Sequence, residues 1–244
     1  MLIPIGSWCR TAYQVRVFLE KNDIKSSSYP FDWTITPFSA LQNTLKKGFT
    51  PDQVLQHEDL ALSKFGSIAD RKTNLIHHHD FPPKTISSYG NGKLRKIPSE
   101  LFASDLIEKA QGRFIHTYEN LLKLRNCNGK IGFVRWHRTG HPDPKLPDAF
   151  EGENLATLTA LLSNFLEHDN FSILLIKTVI VQNELSENDI IVSYLPDSLG
   201  GGVSAIIKER KGFDGDGTNN FKGDTVSWHH ILTQYINEEN INLG

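Results

Sequence analysis

Two cysteines in 244 residues, Cys9 and Cys127, are too few for a disulfide framework, and neither sits in a paired-cysteine metal spacing. No excess of basic residues is present either. The formal net charge is −2, which argues against a general nucleic-acid binder or a protein held on an anionic membrane. No run reaches the roughly 18 apolar residues that a membrane span needs, and the start MLIPIGSWCR lacks the basic and apolar blocks of a signal peptide. These absences lead to the expectation of a cytoplasmic protein with no membrane partner. Neither G-x-x-x-x-G-K-[ST] nor G-x-G-x-x-G follows a strand pattern, so phosphate cradling by those loops has no support. No cofactor and no metal are expected.

With 39% hydrophobic and 22% charged residues, the chain has the composition of an ordinary globular protein. Leu2 to Ile5 is apolar and ends in Gly6-Ser7. Immediately afterwards Ala12, Val15, Phe18 and Leu19 recur at the three- and four-residue spacing of one helical face, up to Asn22-Asp23. This pattern places Cys9 at a strand-to-helix corner, where unpaired helix N–H groups and the helix dipole favour a thiolate.

Further along, Thr36-Pro37 reads as a helix start, with Phe38, Leu41 and Leu45 inward and an end near Lys47. Residues 49 to 72 carry no clear period. Thr73 to Phe81 reads as a strand stopped by Pro82-Pro83, with His77 and His79 on one face, and Ser87 to Pro98 as an exposed basic loop. Helices are expected over Ser99 to Asn126 and Asn154 to Glu167, and strands over Lys130 to Trp136, Phe171 to Val181 and Asp189 to Leu195. The Gly- and Asp-rich stretch of about 196–226 reads as a mobile loop enclosing at most a short strand, Val203 to Ile207, with a short helix closing the chain. Alternating strands and helices predict a single α/β domain over 1–244. The expected layout is a three-layer sheet with helices on both faces, mostly parallel strands and a site at the strand C-terminal ends.

Nucleophilic cysteine chemistry needs a thiol, a base and a group that orients the base. Cys9 and His79 supply the first two in kind. Asp32, between Phe31 and Trp33, is the candidate for the third, because a carboxylate among aromatics needs a partner if buried. Asp80 would leave the opposite strand face from His79. Ser7, Trp8, Arg10, Arg16, Trp33, His77 and Arg135 are candidate substrate-binding residues, since arginines near the corner and at a strand end can hold an acidic or phosphorylated group. Zinc on His77 and His79 would need a remote third ligand. The Asp214 to Asn219 run lacks the glycine and glutamate of a calcium loop, and a Ser7 hydrolase with Asp224 or His229 lacks the G-x-S-x-G elbow.

The blocks Gly6-Ser7-Trp8-Cys9-Arg10-Thr11-Ala12-Tyr13-Gln14-Val15-Arg16, Ser28-Tyr29-Pro30-Phe31-Asp32-Trp33 and His78-His79-Asp80-Phe81, with Phe133-Val134-Arg135 more faintly, resemble a bacterial family of uncharacterised proteins assigned to the papain-like cysteine peptidases. The resemblance implies Cys9 as nucleophile and His79 as base, and it brings an α+β papain-like fold as the alternative layout. Three functions follow as expectations. The first is a thiol-dependent hydrolase or acyl/peptidyl transferase with helix N–H groups holding the oxyanion. The second is a glycan- or phosphosugar-processing protein that holds substrate through Arg10, Arg135, Trp8 and Trp33. The third is a non-catalytic interaction module. The expected partner is a peptide, acyl or glycan substrate, and the oligomeric state is left open.

Overall fold

The computed structural model describes residues 1–62, 68–77, 79–81, 95–96, 104–139, 153–181, 193–196, 202–210 and 225–243. The amino-terminal half contributes β1 (Leu2–Pro4), α1 (Cys9–Lys21), α2 (Phe38–Leu45), β2 (Leu60–Leu62), β3 (Ile68–Asp70), β4 (Ile76–His77), β5 (Arg95–Lys96) and α3 (Ser104–Leu122). Then come β6 (Ile131–Thr139), α4 (Leu155–Leu166), β7 (Phe171–Val181), β8 (Ser193–Pro196), β9 (Gly202–Arg210) and α5 (Thr225–Glu238).

The main sheet has the order β1-β6-β7-β9-β8, with β1, β6, β7 and β9 parallel and β8 antiparallel at the edge. Strands buried on both faces read as continuous apolar runs, which is the pattern of Ile131 to Val134 and of Ile173 to Ile176. Alternate residues of those runs enter two separate cores. Ile131, Phe133, Ile173 and Leu175 pack with Leu41 of α2, Phe114 of α3 and Leu158 of α4. Val134, Trp136, Leu174 and Ile176 pack with Val15 and Phe18 of α1 and with Trp228 and Leu232 of α5. The fold is therefore mixed α/β with a mostly parallel main sheet.

A second, antiparallel sheet has the order β4-β3-β2-β5. Backbone hydrogen bonds stitch it to the end of β1. Thr36 N–H donates to the Ser7 carbonyl at 2.7 Å, while Ile35 and Ile76 exchange bonds of 2.9 and 3.0 Å. Residues 34–36 thus bridge the Cys9 corner and β4, although the three pieces lie far apart in sequence.

Several elements differ from their sequence patterns for local reasons. The strand expected over Thr73 to Phe81 is reduced to Ile76–His77. The Asp70 carboxylate accepts the N–H groups of Leu55, Lys72 and Thr73, which folds residues 71–74 into a turn, and a second turn follows at 79–80. The strand expected over Val203 to Ile207 extends to Gly202–Arg210 because it pairs with β7 from Ile173 to Val181 and also with β8. The closing helix is fourteen residues long. The rest of the 196–226 stretch, the Ser87 to Pro98 loop apart from β5, and residues 99–103 lie largely outside the described residues. By contrast, α4 begins as its sequence predicts: Asn154 and Thr157 form a reciprocal capping box. Among the described residues no helix is long and apolar enough to cross a membrane.

Candidate active site

Beyond β1 the chain keeps its register with β6: Ile5 N–H donates to Val134 at 2.9 Å, and Trp136 N–H donates to the Gly6 carbonyl at 3.3 Å. Gly6 has φ +85°, and a Cβ placed there would lie 2.9 Å from both Arg135 Nη1 and Thr36 Cβ. Only glycine meets both demands without displacement. Ser7 is buried, and its Oγ donates to the Trp136 carbonyl at 2.5 Å. It fastens the corner to β6. Trp8, in an extended conformation, is the last residue before the helix, so Cys9 is the first residue of α1.

Burial is the largest influence on the Cys9 thiol and raises its pKa. The N–H groups of Cys9 and Arg10 and the charge of Arg10 oppose that rise without overcoming it. The sulfur is thus a protonated thiol near neutral pH, with two helix N–H groups arranged to receive negative charge. Arg10 itself is buried, with its guanidinium 4.4 Å from the centre of the Trp136 ring. Its charge acts on the sulfur through the protein interior.

Behind the corner, Arg135 is fully enclosed, as is the side chain of Glu153. Arg135 Nε and Nη2 donate to the two Glu153 carboxylate oxygens at 2.6 and 2.8 Å. Its Nη1 donates to the Ile5 carbonyl at 2.7 Å and Nη2 to the Thr36 carbonyl at 3.1 Å. His137 Nε2 lies 2.5 Å from Glu153 Oε1. Burial by itself would raise the Glu153 pKa, but the charge and hydrogen bonds of Arg135, aided by His137, hold it well below the ordinary carboxylate range. Arg135, a candidate for holding substrate, donates to the carbonyls of Ile5 and Thr36 and to Glu153. Sequence reading missed Glu153. The signal was an arginine inside the apolar run Ile131 to Trp136, since a charge in such a strand requires an enclosed partner.

On the other side of α1, Asp32 is buried with a single charged partner. Arg16 Nη2 donates to its Oδ2 at 2.6 Å and Tyr29 N–H donates to the same oxygen at 3.1 Å. Its Oδ1 is buried without a partner among the described residues. Here burial wins over the Arg16 and Tyr29 hydrogen bonds, and the carboxyl is pushed up to about 6. The Arg16 guanidinium sits 5.1 Å from the centre of the Trp33 ring, and Trp33 meets the edge of the His79 ring at 5.6 Å. Cys9, Tyr13 and Arg16 follow the i, i+4, i+7 spacing of one half-buried helix face, spanning about 10 Å along the axis. Asp32 is therefore linked to His79 through Arg16 and Trp33. Burial lowers the His79 pKa, and the charge of Asp80 opposes this.

Of His77 and His79, it is His77 whose ring contacts a carboxylate. Its Nδ1 lies 2.8 Å from Asp80 Oδ2, and Arg113 Nη2 donates to Asp80 Oδ1 at 2.8 Å. The turn at 79–80 makes this contact possible, because on a continued strand Asp80 would point away. Burial would raise the Asp80 pKa, but His77, Arg113 and His79 bring it below its ordinary value. His77 and Asp80 line a cleft of ≈ 470 Å³ together with Trp33, Thr34, Arg113 and Phe114. His77 and His79 thus turn to different partners, Asp80 and Trp33, and His78 lies outside the described residues.

The arrangement defines a class: a mixed α/β protein whose half-buried cysteine opens a helix shortly after a strand of a mostly parallel sheet. A family model described as putative papain-like cysteine peptidase (DUF1796) matches residues 1–197, and the chain belongs to that family. No curated protein and no solved structure matches it.

Proposed function

We propose that the protein is a thiol-dependent hydrolase or acyl/peptidyl transferase, with Cys9 as nucleophile and His79 as base. The observation that carries this reading is the position of Cys9 as the first residue of α1, with the N–H groups of Cys9 and Arg10 turned toward its sulfur. The sulfur attacks a carbonyl carbon while the imidazole takes the thiol proton, and the proton then goes to the leaving group. The first-turn N–H groups stabilise the oxyanion.

The directions of the two shifts support a particular form of this chemistry. A thiol raised by burial and an imidazole lowered by burial form a neutral pair, so proton transfer accompanies attack and no thiolate–imidazolium pair precedes it. Asp32 acts by fixing Arg16, which in turn supports Trp33 and His79. In this reading the layers are helices, sheet and helices, with the site beyond the C-terminal ends of β1 and β6.

The test is the pH profile of Cys9 alkylation by iodoacetamide, followed by mass spectrometry. The wild-type rate is expected to titrate above the ordinary thiol value of about 8.5. An additional rise set by the imidazole is expected below 6.5, the ordinary histidine value. His79→Ala removes the acid-side rise and leaves the alkaline one. A single alkaline titration that His79→Ala leaves unchanged overturns the assignment of the base.

A further inference from the structure

Asp32 is 1% exposed, and its two oxygens meet different surroundings. Oδ2 accepts from Arg16 Nη2 at 2.6 Å and from Tyr29 N–H at 3.1 Å, whereas Oδ1 is buried with no hydrogen-bond partner among the described residues. A buried anionic oxygen that no donor meets favours the neutral acid, and Oδ1 is the oxygen where a proton displaces no existing bond. Burial pushes the carboxyl up to about 6, so its charge changes just below neutrality.

Arg16 is the cation that this charge holds. Its Nη2 reaches both Asp32 and Ser28 Oγ, the latter at 3.0 Å, while the guanidinium lies 5.1 Å from the centre of the Trp33 ring. The Arg16 side chain is 25% exposed, so water can receive it once its counterion is neutral. Trp33, 37% exposed, meets the His79 ring at 5.6 Å. The groups nearby do not share the Asp32 titration. Burial and the Asp32 charge push the Tyr29 phenol up to about 12, so it stays neutral, and Asn120 of α3 meets the Ser28 carbonyl with an uncharged amide. Asp80, beside His79, is brought below its ordinary value by His77 and Arg113.

We propose that Arg16 is a positioning residue that holds Trp33 against His79 while Asp32 is ionised, and that protonation of Asp32 releases it. One proton passes from solvent to Oδ1, and Oδ2 can still accept, but the charge that kept Arg16 in the pair is gone. The guanidinium then turns to water and Trp33 loses its cation. The consequence for the reaction, a site assembled above about pH 6 and loosened below it, rests on the reading of His79 as base. The movement of Trp33 does not.

Fluorine NMR of the full chain labelled with 5-fluorotryptophan tests the assignment, the Trp33 line being the one missing in Trp33→Phe. The measurement is made in His79→Gln, where the neighbouring imidazole cannot titrate. There the Trp33 line is expected to shift with a midpoint near 6. Adding Asp32→Asn, or Arg16→Met, should fix the line near its acid position from about pH 5 to about pH 7, one unit on either side of that midpoint. A Trp33 line that is constant over this range in His79→Gln, or a titration that survives the addition of Asp32→Asn, overturns the proposal. The readout does not involve Cys9, so an inert thiol would overturn the reaction and leave this latch standing.

Discussion

Two buried arginine–carboxylate pairs flank the Cys9 corner and behave in opposite ways. Arg135–Glu153 is sealed on both sides, with two parallel hydrogen bonds and a histidine beside them, and its carboxyl is held low. Arg16–Asp32 buries only the acid: the arginine side chain is 25% exposed, a single contact joins the two, and Oδ1 has no partner among the described residues. Its carboxyl rises to about 6. Burial penalises both anions, and the number and geometry of the bonds offered in return decide which effect wins. The sealed pair is built to hold backbone, while the open pair leaves an acid poised near neutrality beside an arginine that supports the aromatic wall.

The largest expected effect comes from breaking the sealed pair. Glu153→Ala leaves the Arg135 charge buried without its partner, and urea unfolding should show a loss of about 3–5 kcal/mol. The open pair gives the next largest effect, and its pH dependence has the opposite sign. Asp32 binds its proton more tightly folded than unfolded, so its contribution is greatest in acid and is lost as the pH rises from the ordinary 3.8 through about 6. Relative to wild type, Asp32→Asn should therefore gain stability across that window, by at most about 3 kcal/mol for a shift of this size, and then level off. A wild type that instead gains stability over Asp32→Asn through this range would invert the comparison. Glu153, held low, adds stability above its ordinary 4.5 and loses it only as the pH falls through its folded value. The smallest effect is expected from Arg16→Lys, which can keep one contact to Asp32 and should cost less than about 1 kcal/mol by thermal melting, as for a partly exposed pair.

Much of the fold was legible in the sequence where the cause is local. Phe171–Val181 forms the strand its apolar run predicts, and α1 and α4 follow their apolar spacing and their starts. Cys9 at the strand-to-helix corner was legible for the same reason. Thr73 to Phe81 was not, because Asp70 captures three N–H groups from residues 55 to 73 and so ends the strand pattern. The partners and burial of single side chains were less legible than their positions. Ser7, Arg10 and Arg135 lie around the corner as expected, yet all three are enclosed, and Asp80 reaches back to His77 through a turn that period-two spacing does not contain.

The sequence by itself determined the strand-to-helix corner at Cys9, the glycine that the corner requires, most of the helical segments and the mixed α/β class. Each of these depends on apolar period, capping or turn chemistry acting over a few residues. Only the tertiary structure decided which charges are matched. Arg135 finds Glu153 18 residues away and the Ile5 carbonyl 130 residues away, and Arg113 finds Asp80 across 33 residues. A buried charge announces in sequence that it needs a partner, but which partner arrives depends on how the sheet and its bridging segment bring distant strands side by side.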